Sequence, residues 1–269
     1  MNIFLLEVRN LRRSTLTGAL GIIAVIAVLL GFFPAMQNES MQALAGAKMA
    51  GLDEGLLQAL GLSTMMDFTV ITNFFGFAVQ YLNLAILVLV VQQAVALFIK
   101  EETDGTIEYL GAKPVSRDDI VWQKLLGHLA LVVASFAAYA VATVAGYLLV
   151  SDFTFGQAVR EAAIFFGAML FVTLVFSALG VLASTLIKSS KGVSGITMGL
   201  VFGTFVLGIL GAMIPRLEFL KWLSPMDWIK TEKLMSVGIL PEEWVVGIVV
   251  ILLGTGGAWL RYRKKDLLI

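Results

Sequence analysis

Charged and hydrophobic residues are strongly segregated along this 269-residue chain. Six windows contain no Asp, Glu, Lys or Arg, and they cover residues 14–38, 68–99, 125–151, 162–187, 192–215 and 244–260. A helix that crosses a bilayer needs about 20 mostly apolar residues, with a range of about 17–25. The pattern therefore predicts six membrane spans, at about residues 15–36, 68–99, 122–150, 162–187, 193–214 and 244–260.

The backbone of these spans is expected to be helical, because the hydrocarbon core offers no hydrogen-bond partner to an unpaired amide. No internal repeat divides the chain. We therefore predict an all-α polytopic membrane protein in which residues 1–269 form a single transmembrane domain.

The distribution of Lys and Arg predicts the orientation of the chain. If the N-terminus is cytoplasmic, thirteen Lys and Arg residues lie inside and six lie outside. Cytoplasmic segments of membrane proteins carry such an excess of basic residues. Six spans then return the C-terminus to the cytoplasm as well.

The segments between the spans differ in length and character. Residues 1–13 carry apolar residues on one helical face and Arg9 and Arg13 opposite, which predicts an interfacial helix or, alternatively, a disordered basic tail. Two long external loops are predicted at residues 37–67 and 215–243. The second mixes aromatic and charged residues, and we expect short helices there that lie on or dip into the outer leaflet.

Composition excludes several functional classes. The chain is 59% hydrophobic and only 14% charged, with a net charge of zero, so no basic surface indicates nucleic-acid binding. It has no cysteine and one histidine, His128, which excludes thiolate chemistry and a multi-histidine metal site. It also lacks the phosphate-binding loop and the common hydrolase and metalloprotease motifs. We expect no catalytic, cofactor or metal site in this chain.

The cytoplasmic loop between the second and third spans is the most charged stretch of the sequence. Gly105 can end the helix that enters it, and Pro114 opens a turn. Ser116 then has the character of an N-cap, with Asp118 and Asp119 in the first turn of the next helix. The pattern predicts an acidic helical corner that either docks on a partner or is an ordinary solvated loop.

The spacing of residues in this loop, E-x-x-x-G-T-I-E-x-L-x-x-x-P-V-S-R-x-x-I-x-x-x-K from Glu101 to Lys124, resembles the cytoplasmic loop of ABC-2-type permeases. These are the membrane subunits of ATP-binding-cassette exporters. The six spans, the N-terminal segment and the basic C-terminus are also similar in layout. The long first external loop is similar to the subset that includes bacitracin-type and lantibiotic-immunity permeases and sodium exporters.

This resemblance implies a coupling role for the loop at residues 100–121, which would rest on a separate cytoplasmic ATPase subunit. ATP and magnesium would be bound by that partner and not by this chain. The residues to which the resemblance assigns the coupling role are Glu101, Glu102, Thr103, Gly105, Thr106, Glu108, Pro114 and Arg117. It also implies a dimeric membrane part with the first and fifth spans at the interface, in the plasma (inner) membrane of a bacterium or archaeon.

A polar stripe runs along one face of the second span. Its members are Thr69, Asn73, Gly76, Gln80 and Asn83, which share a face at helical spacing. Amides in hydrocarbon need hydrogen-bond partners. The stripe therefore either holds neighbouring helices together or lines a polar substrate path, for which Asn73, Gln80 and Asn83 are the candidates.

The fifth span carries Gly195, Gly199 and Gly203 at intervals of four residues. Small residues at this spacing allow two helices to approach closely. They indicate packing within the chain or the interface with a second copy or a similar permease.

We therefore predict the permease subunit of an ATP-driven exporter, with no enzymatic activity of its own. Two alternatives stay open, namely an ATP-independent carrier or channel, and a non-transporting membrane scaffold or immunity protein. The charge-free spans argue against a carrier driven by ions, because such carriers usually need carboxylates within the membrane.

Overall fold

The computed structural model describes residues 3–40, 42–43, 51, 54–62, 67–103, 105, 115–187 and 189–264. Six long helices are apolar enough to cross a membrane. They are α1 (Ile3–Met36), α3 (Ile71–Ala96), α5 (Arg117–Val150), α6 (Phe155–Leu186), α7 (Val193–Met213) and α9 (Pro241–Lys264). Three short helices are α2 (Glu54–Ala59), α4 (Ile99–Thr103) and α8 (Thr231–Ser236). The predicted all-α fold with six candidate spans is confirmed.

Helix α6 forms the centre of the bundle. In its most apolar stretch 72% of the residues are buried, against 22–28% in α1, α5, α7 and α9. It packs against α3, α5 and α9, while α1 packs along α5. The outer helices keep wide apolar faces uncovered, with Val28, Leu149 and Leu253 among the exposed residues. Such faces suit lipid or a second membrane subunit.

Helix α1 runs without a break through residue 13, where the sequence predicted the end of a separate interfacial helix. The stretch Arg12–Thr15 holds no glycine or proline that would interrupt it. A helix of 34 residues is about 51 Å long, whereas the hydrocarbon core is only about 30 Å thick. One helix can therefore provide both a span and a segment beyond it, and the two parts predicted separately at residues 1–13 and 15–36 form one continuous helix from Ile3.

The loop between the second and third spans, predicted at residues 100–121, lies between α3 and α5 and contains the short helix α4. Helix α3 ends at Ala96, and α4 follows after a two-residue break at Leu97 and Phe98. Helix α5 begins at Arg117 and not at residue 122, because Ser116 caps it. The Ser116 Oγ accepts a hydrogen bond from the Asp119 amide at 3.0 Å and donates to the Asp119 carboxylate at 2.7 Å. The predicted N-cap at Ser116 is confirmed.

The stretch between α7 and α9 consists of short helical pieces, as the sequence predicted. Two 3₁₀ segments, Pro215–Leu223 and Pro225–Ile229, precede α8. The second segment is buried in the protein, since Met226, Trp228 and Ile229 are at most 7% exposed. The Trp228 ring lies 6.2 Å from the ring of Phe171 in α6. This piece therefore packs into the bundle, whereas the sequence suggested contact with the leaflet.

Candidate functional site

Part of the predicted coupling segment lies within the described residues. Thr103 closes α4 and donates a hydrogen bond to the Ile99 carbonyl at 3.0 Å. Gly105 has a φ of +66°, a left-handed conformation that favours glycine and breaks the helix. Thr106, Glu108 and Pro114, and the side chains of Glu101 and Glu102, lie outside the described residues. Their coupling role stays a prediction.

The start of α5 is tied to the end of α9. The Arg117 guanidinium donates to the Arg263 carbonyl at 3.0 Å. The Trp259 indole donates to the Asp118 carboxylate at 2.8 Å, and Arg263 lies 3.4 Å from the same carboxylate. Arg263 also covers the Trp259 ring at 5.1 Å, a cation–π distance. The third and sixth spans therefore meet directly beside the predicted coupling segment.

A buried ion pair lies about two turns further along α5. The Lys124 ammonium contacts the Glu7 carboxylate of α1 at 2.8 Å and donates to the Leu97 carbonyl at 2.9 Å. Lys124 is 1% exposed and Glu7 is 4% exposed. Leu97 lies in the break between α3 and α4. One ammonium group therefore connects α1, α5 and the helix that leads into the coupling segment. We call Glu7, Lys124 and Leu97 the inner junction.

The first turn of α1 is held on α5 by two further features. The Gln123 side-chain carbonyl accepts hydrogen bonds from the amides of Ile3 and Phe4 at 2.9 and 3.2 Å. A Cβ added at Gly127 would lie 3.1 Å from the Glu7 side chain and 3.3 Å from the Phe4 carbonyl. Glycine at this position lets the two helices approach closely, so the N-terminal turns of α1 form part of the bundle.

The sequence reasoning did not identify the inner junction. Glu7 and Lys124 are 117 residues apart, so no local spacing in the sequence pairs them. One signal was present, because Glu7 shares a helical face with Ile3 and Leu11, and all three are buried. A carboxylate within an apolar helical stripe predicts a buried partner.

The polar stripe of the second span packs against residues at the end of the bundle opposite the coupling segment. The Gln80 amide donates to the Leu60 carbonyl at 3.1 Å and accepts from the Thr231 amide at 3.4 Å. The Asn83 amide donates to the Met226 sulfur at 3.5 Å, while its buried carbonyl oxygen has no hydrogen-bond partner. In this conformation these two amides connect α3 with the 225–231 stretch, which matches the structural alternative for the stripe.

The N-terminal end of the stripe, at Thr69 and Asn73, forms a turn at the start of α3. The Asn73 amide donates to the Asp67 carbonyl at 3.0 Å. The Thr69 amide and hydroxyl both donate to the Asp67 carboxylate, at 2.8 and 2.7 Å. These two hydrogen bonds stabilise the ionised carboxylate and lower the pKa of Asp67 below its usual value. A Cβ at Gly76 would fall against Thr231, so this position requires glycine.

The glycines of the fifth span lie on an open face of α7. Nothing within the described structure comes within 4 Å of a Cβ built on Gly195, Gly199 or Gly203. Met198 and Phe202 beside them are 46% and 43% exposed. These glycines therefore do not pack against another helix among the described residues. Their role at an interface with a second subunit stays a prediction.

No constellation that could hold a metal ion is found in the described part of the chain. The charged groups form structural contacts at the two ends of the bundle.

Comparison with curated proteins finds no match to the sequence. A family profile, described as ABC-2 family transporter protein, matches residues 1–267, which is nearly the whole chain. This match agrees with the six spanning helices and with the loop spacing from Glu101 to Arg117. The chain therefore belongs to the ABC-2 transporter family and is a multi-pass permease of the ABC type.

Proposed function

We propose that this chain is the permease subunit of an exporter powered by ATP hydrolysis in a separate ATPase subunit docked on residues 100–121. The observation that carries the proposal is the inner junction, in which Lys124 binds both Glu7 and the Leu97 carbonyl. A force applied to the coupling segment reaches α3 and α5 through the chain itself, and this contact links both of them to α1. ATP and magnesium belong to the partner, and this chain performs no covalent step.

The junction is suited to transmit movement because it is buried. Separating a buried ion pair leaves an uncompensated charge, which costs several kcal/mol. A displacement of the coupling segment therefore moves α1 and α5 together with α3 and does not open the contact. The tie between α5 and α9 through Asp118 extends this movement to the sixth span.

Export would require a second state of the outer end. The 225–231 stretch covers Gln80 and Asn83 here, so a path along Asn73, Gln80 and Asn83 needs that stretch to move away. We propose that the ATP-driven movement of the spans releases it. The substrate would then leave to the outside or into the outer leaflet.

The working unit is proposed to contain two permeases and two ATPase subunits. The second permease is a copy of this chain or a similar one, and it would cover the open face around Gly195, Gly199 and Gly203. The family implies a membrane dimer and an ABC ATPase in general terms. We place the complex in the plasma (inner) membrane of a bacterium or archaeon, with both termini of this chain in the cytoplasm. We also propose that this chain belongs to the subset of ABC-2 permeases that includes bacitracin-type and lantibiotic-immunity permeases and sodium exporters.

An ATP-independent carrier or channel is the second candidate. Such carriers usually hold ionisable groups near the middle of the membrane. Among the described residues, the buried carboxylates are those of Glu7 and Glu243, which lie near helix ends and are paired with Lys124 and Lys233. This arrangement favours the ATP-driven proposal. A non-transporting scaffold or immunity protein is the third candidate.

The experiment that tests the proposal is a mild-detergent purification of the tagged chain from its native membranes, with the co-purifying proteins identified by mass spectrometry. We expect a near-stoichiometric soluble protein with a phosphate-binding loop. If the chain purifies alone, or only with copies of itself, across several detergents, the ATP-driven proposal is wrong and ion-driven transport becomes the alternative to test.

A further inference from the structure

A large cavity opens at the end of the bundle opposite the coupling segment. It has a volume of about 780 Å³ and is lined by Gly61 and Leu62, the end of α7, the 215–240 stretch and the start of α9. A drug-sized ligand occupies a pocket of about 300–1,000 Å³. Asp227 and Lys230 also line a small cavity that reaches Gln80 of the polar stripe. The large cavity therefore lies where a substrate path along α3 would open.

The charges around the cavity are unbalanced. Among the described residues, three lysines line it and each has a carboxylate partner, in the pairs Lys221–Glu218, Lys230–Asp227 and Lys233–Glu243. Two more carboxylates line the cavity, Glu232 and Glu242. Both are exposed and make no ion pair with the described residues. The cavity thus offers negative charge to a ligand, whereas its positive charges are already neutralised.

Aromatic side chains supply the apolar part of the same cavity. Phe219 and Trp222 line it and are 61% and 53% exposed, and Trp228 forms a buried wall. Aromatic faces attract cations as well as apolar groups. Carboxylates in excess together with exposed aromatic rings favour a ligand that carries both positive charge and apolar surface.

We propose that this cavity binds amphipathic cations. Glu232 and Glu242 bind the positive group, and Phe219 and Trp222 contact the apolar part. The inference rests on the proposed function in one respect, namely that the cavity lies at the exit of the proposed substrate path along α3. Binding itself requires neither ATP nor the ATPase subunit.

The test measures equilibrium binding of radiolabelled tetraphenylphosphonium to the full chain in nanodiscs, after subtraction of binding to empty nanodiscs. Tetraphenylborate has nearly the same shape and the opposite charge. We expect saturable binding of the cation that is at least about tenfold tighter than binding of the anion and that weakens with added salt. Equal binding of the two ions, or no saturable component, overturns the proposal.

Two variants assign the site. The double substitution Glu232→Gln and Glu242→Gln should weaken cation binding by about tenfold, because it removes both carboxylates that lack a lysine partner. The matched control, Glu39→Gln with Asp152→Gln, removes two exposed carboxylates outside the cavity lining and should leave binding unchanged. Unchanged binding in the first variant, or an equal loss in both, contradicts the assignment. A failure here leaves the ATPase co-purification unaffected, so the two proposals fail separately.

Discussion

At the scale of single residues, the buried contacts of Lys124 hold three parts of the bundle together. The buried Lys124 ammonium has three N–H donors. It donates to the Glu7 carboxylate of α1 and to the Leu97 carbonyl in the break after α3. A buried charge that loses its partner destabilises a protein far more than a lost surface pair. The inner junction should therefore tolerate the loss of both charges better than the loss of one.

Lys124→Met should lower the free energy of unfolding by about 3–5 kcal/mol, because the Glu7 carboxylate stays buried without its cation. The double variant Glu7→Gln with Lys124→Met should recover part of this loss. Thermal unfolding of the chain in detergent measures both effects.

The matched control is Lys221→Met, which removes a half-exposed lysine from its pair with Glu218 and should change stability by less than about 1 kcal/mol. A double variant no more stable than Lys124→Met alone would show that the carboxylate does not need its partner.

Gly76→Ala should destabilise the fold by about 1–3 kcal/mol, because the added Cβ would meet Thr231 and, at 2.8 Å, the Phe165 ring. Gly199→Ala adds the same methyl group where nothing lies within 4 Å. We expect the second variant to keep the stability of the unaltered monomer, as measured by thermal unfolding. If the two variants unfold alike, α3 and α8 are less closely packed than described.

At the scale of helices, local chemistry explains which features could be predicted. The six spans follow from charge-free windows, and the start of α5 follows from Ser116 and Asp119, which lie within four residues of each other. The continuity of α1 does not follow from the sequence pattern, because the cluster of arginines at positions 9, 12 and 13 resembles a boundary between two segments. Basic residues mark the membrane interface, but they do not end a helix.

The open glycine face of α7 gives a prediction about assembly. Gly199→Leu should reduce self-association of the purified chain, or its association with a similar permease, because a bulky side chain blocks close approach of two helices. Chemical cross-linking in native membranes measures the dimer fraction.

Gly167→Leu on α6 is the control, since this glycine is also exposed and has nothing within 4 Å of a built Cβ. Dimer loss that is equal in both variants would place the interface elsewhere.

At the scale of the whole molecule, the pairings that define the candidate site join distant parts of the chain. Glu7 with Lys124, Asp118 with Trp259 and Gln80 with Thr231 are separated by 117, 141 and 151 residues. A single sequence contains no signal for which distant residues meet. The loop motif could be predicted because it is local, whereas the junction that connects it to the bundle required the structure.

Reversing two charges of the coupling segment should weaken binding of the ATPase subunit without affecting membrane insertion of the permease. Glu102→Arg with Glu108→Arg should uncouple ATP hydrolysis from transport and weaken ATPase co-purification, because both acidic groups are proposed to face the partner. Membrane insertion should stay normal in membrane fractionation.

Glu39→Arg with Asp152→Arg reverses two carboxylates that are predicted to lie on the outer side and should keep the partner bound. Normal transport and normal co-purification in the first variant would remove the coupling assignment.

The most direct test of the central claim uses the absence of cysteine from the sequence. A single cysteine is introduced at Glu102, or at Glu242 on the opposite side of the bundle, and a thiol-to-amine cross-linker is applied to native membranes. The account predicts a cross-link from position 102, and none from position 242, to a soluble protein with a phosphate-binding loop. A cross-link from position 242, or none from position 102 in a complex that still co-purifies, would contradict it.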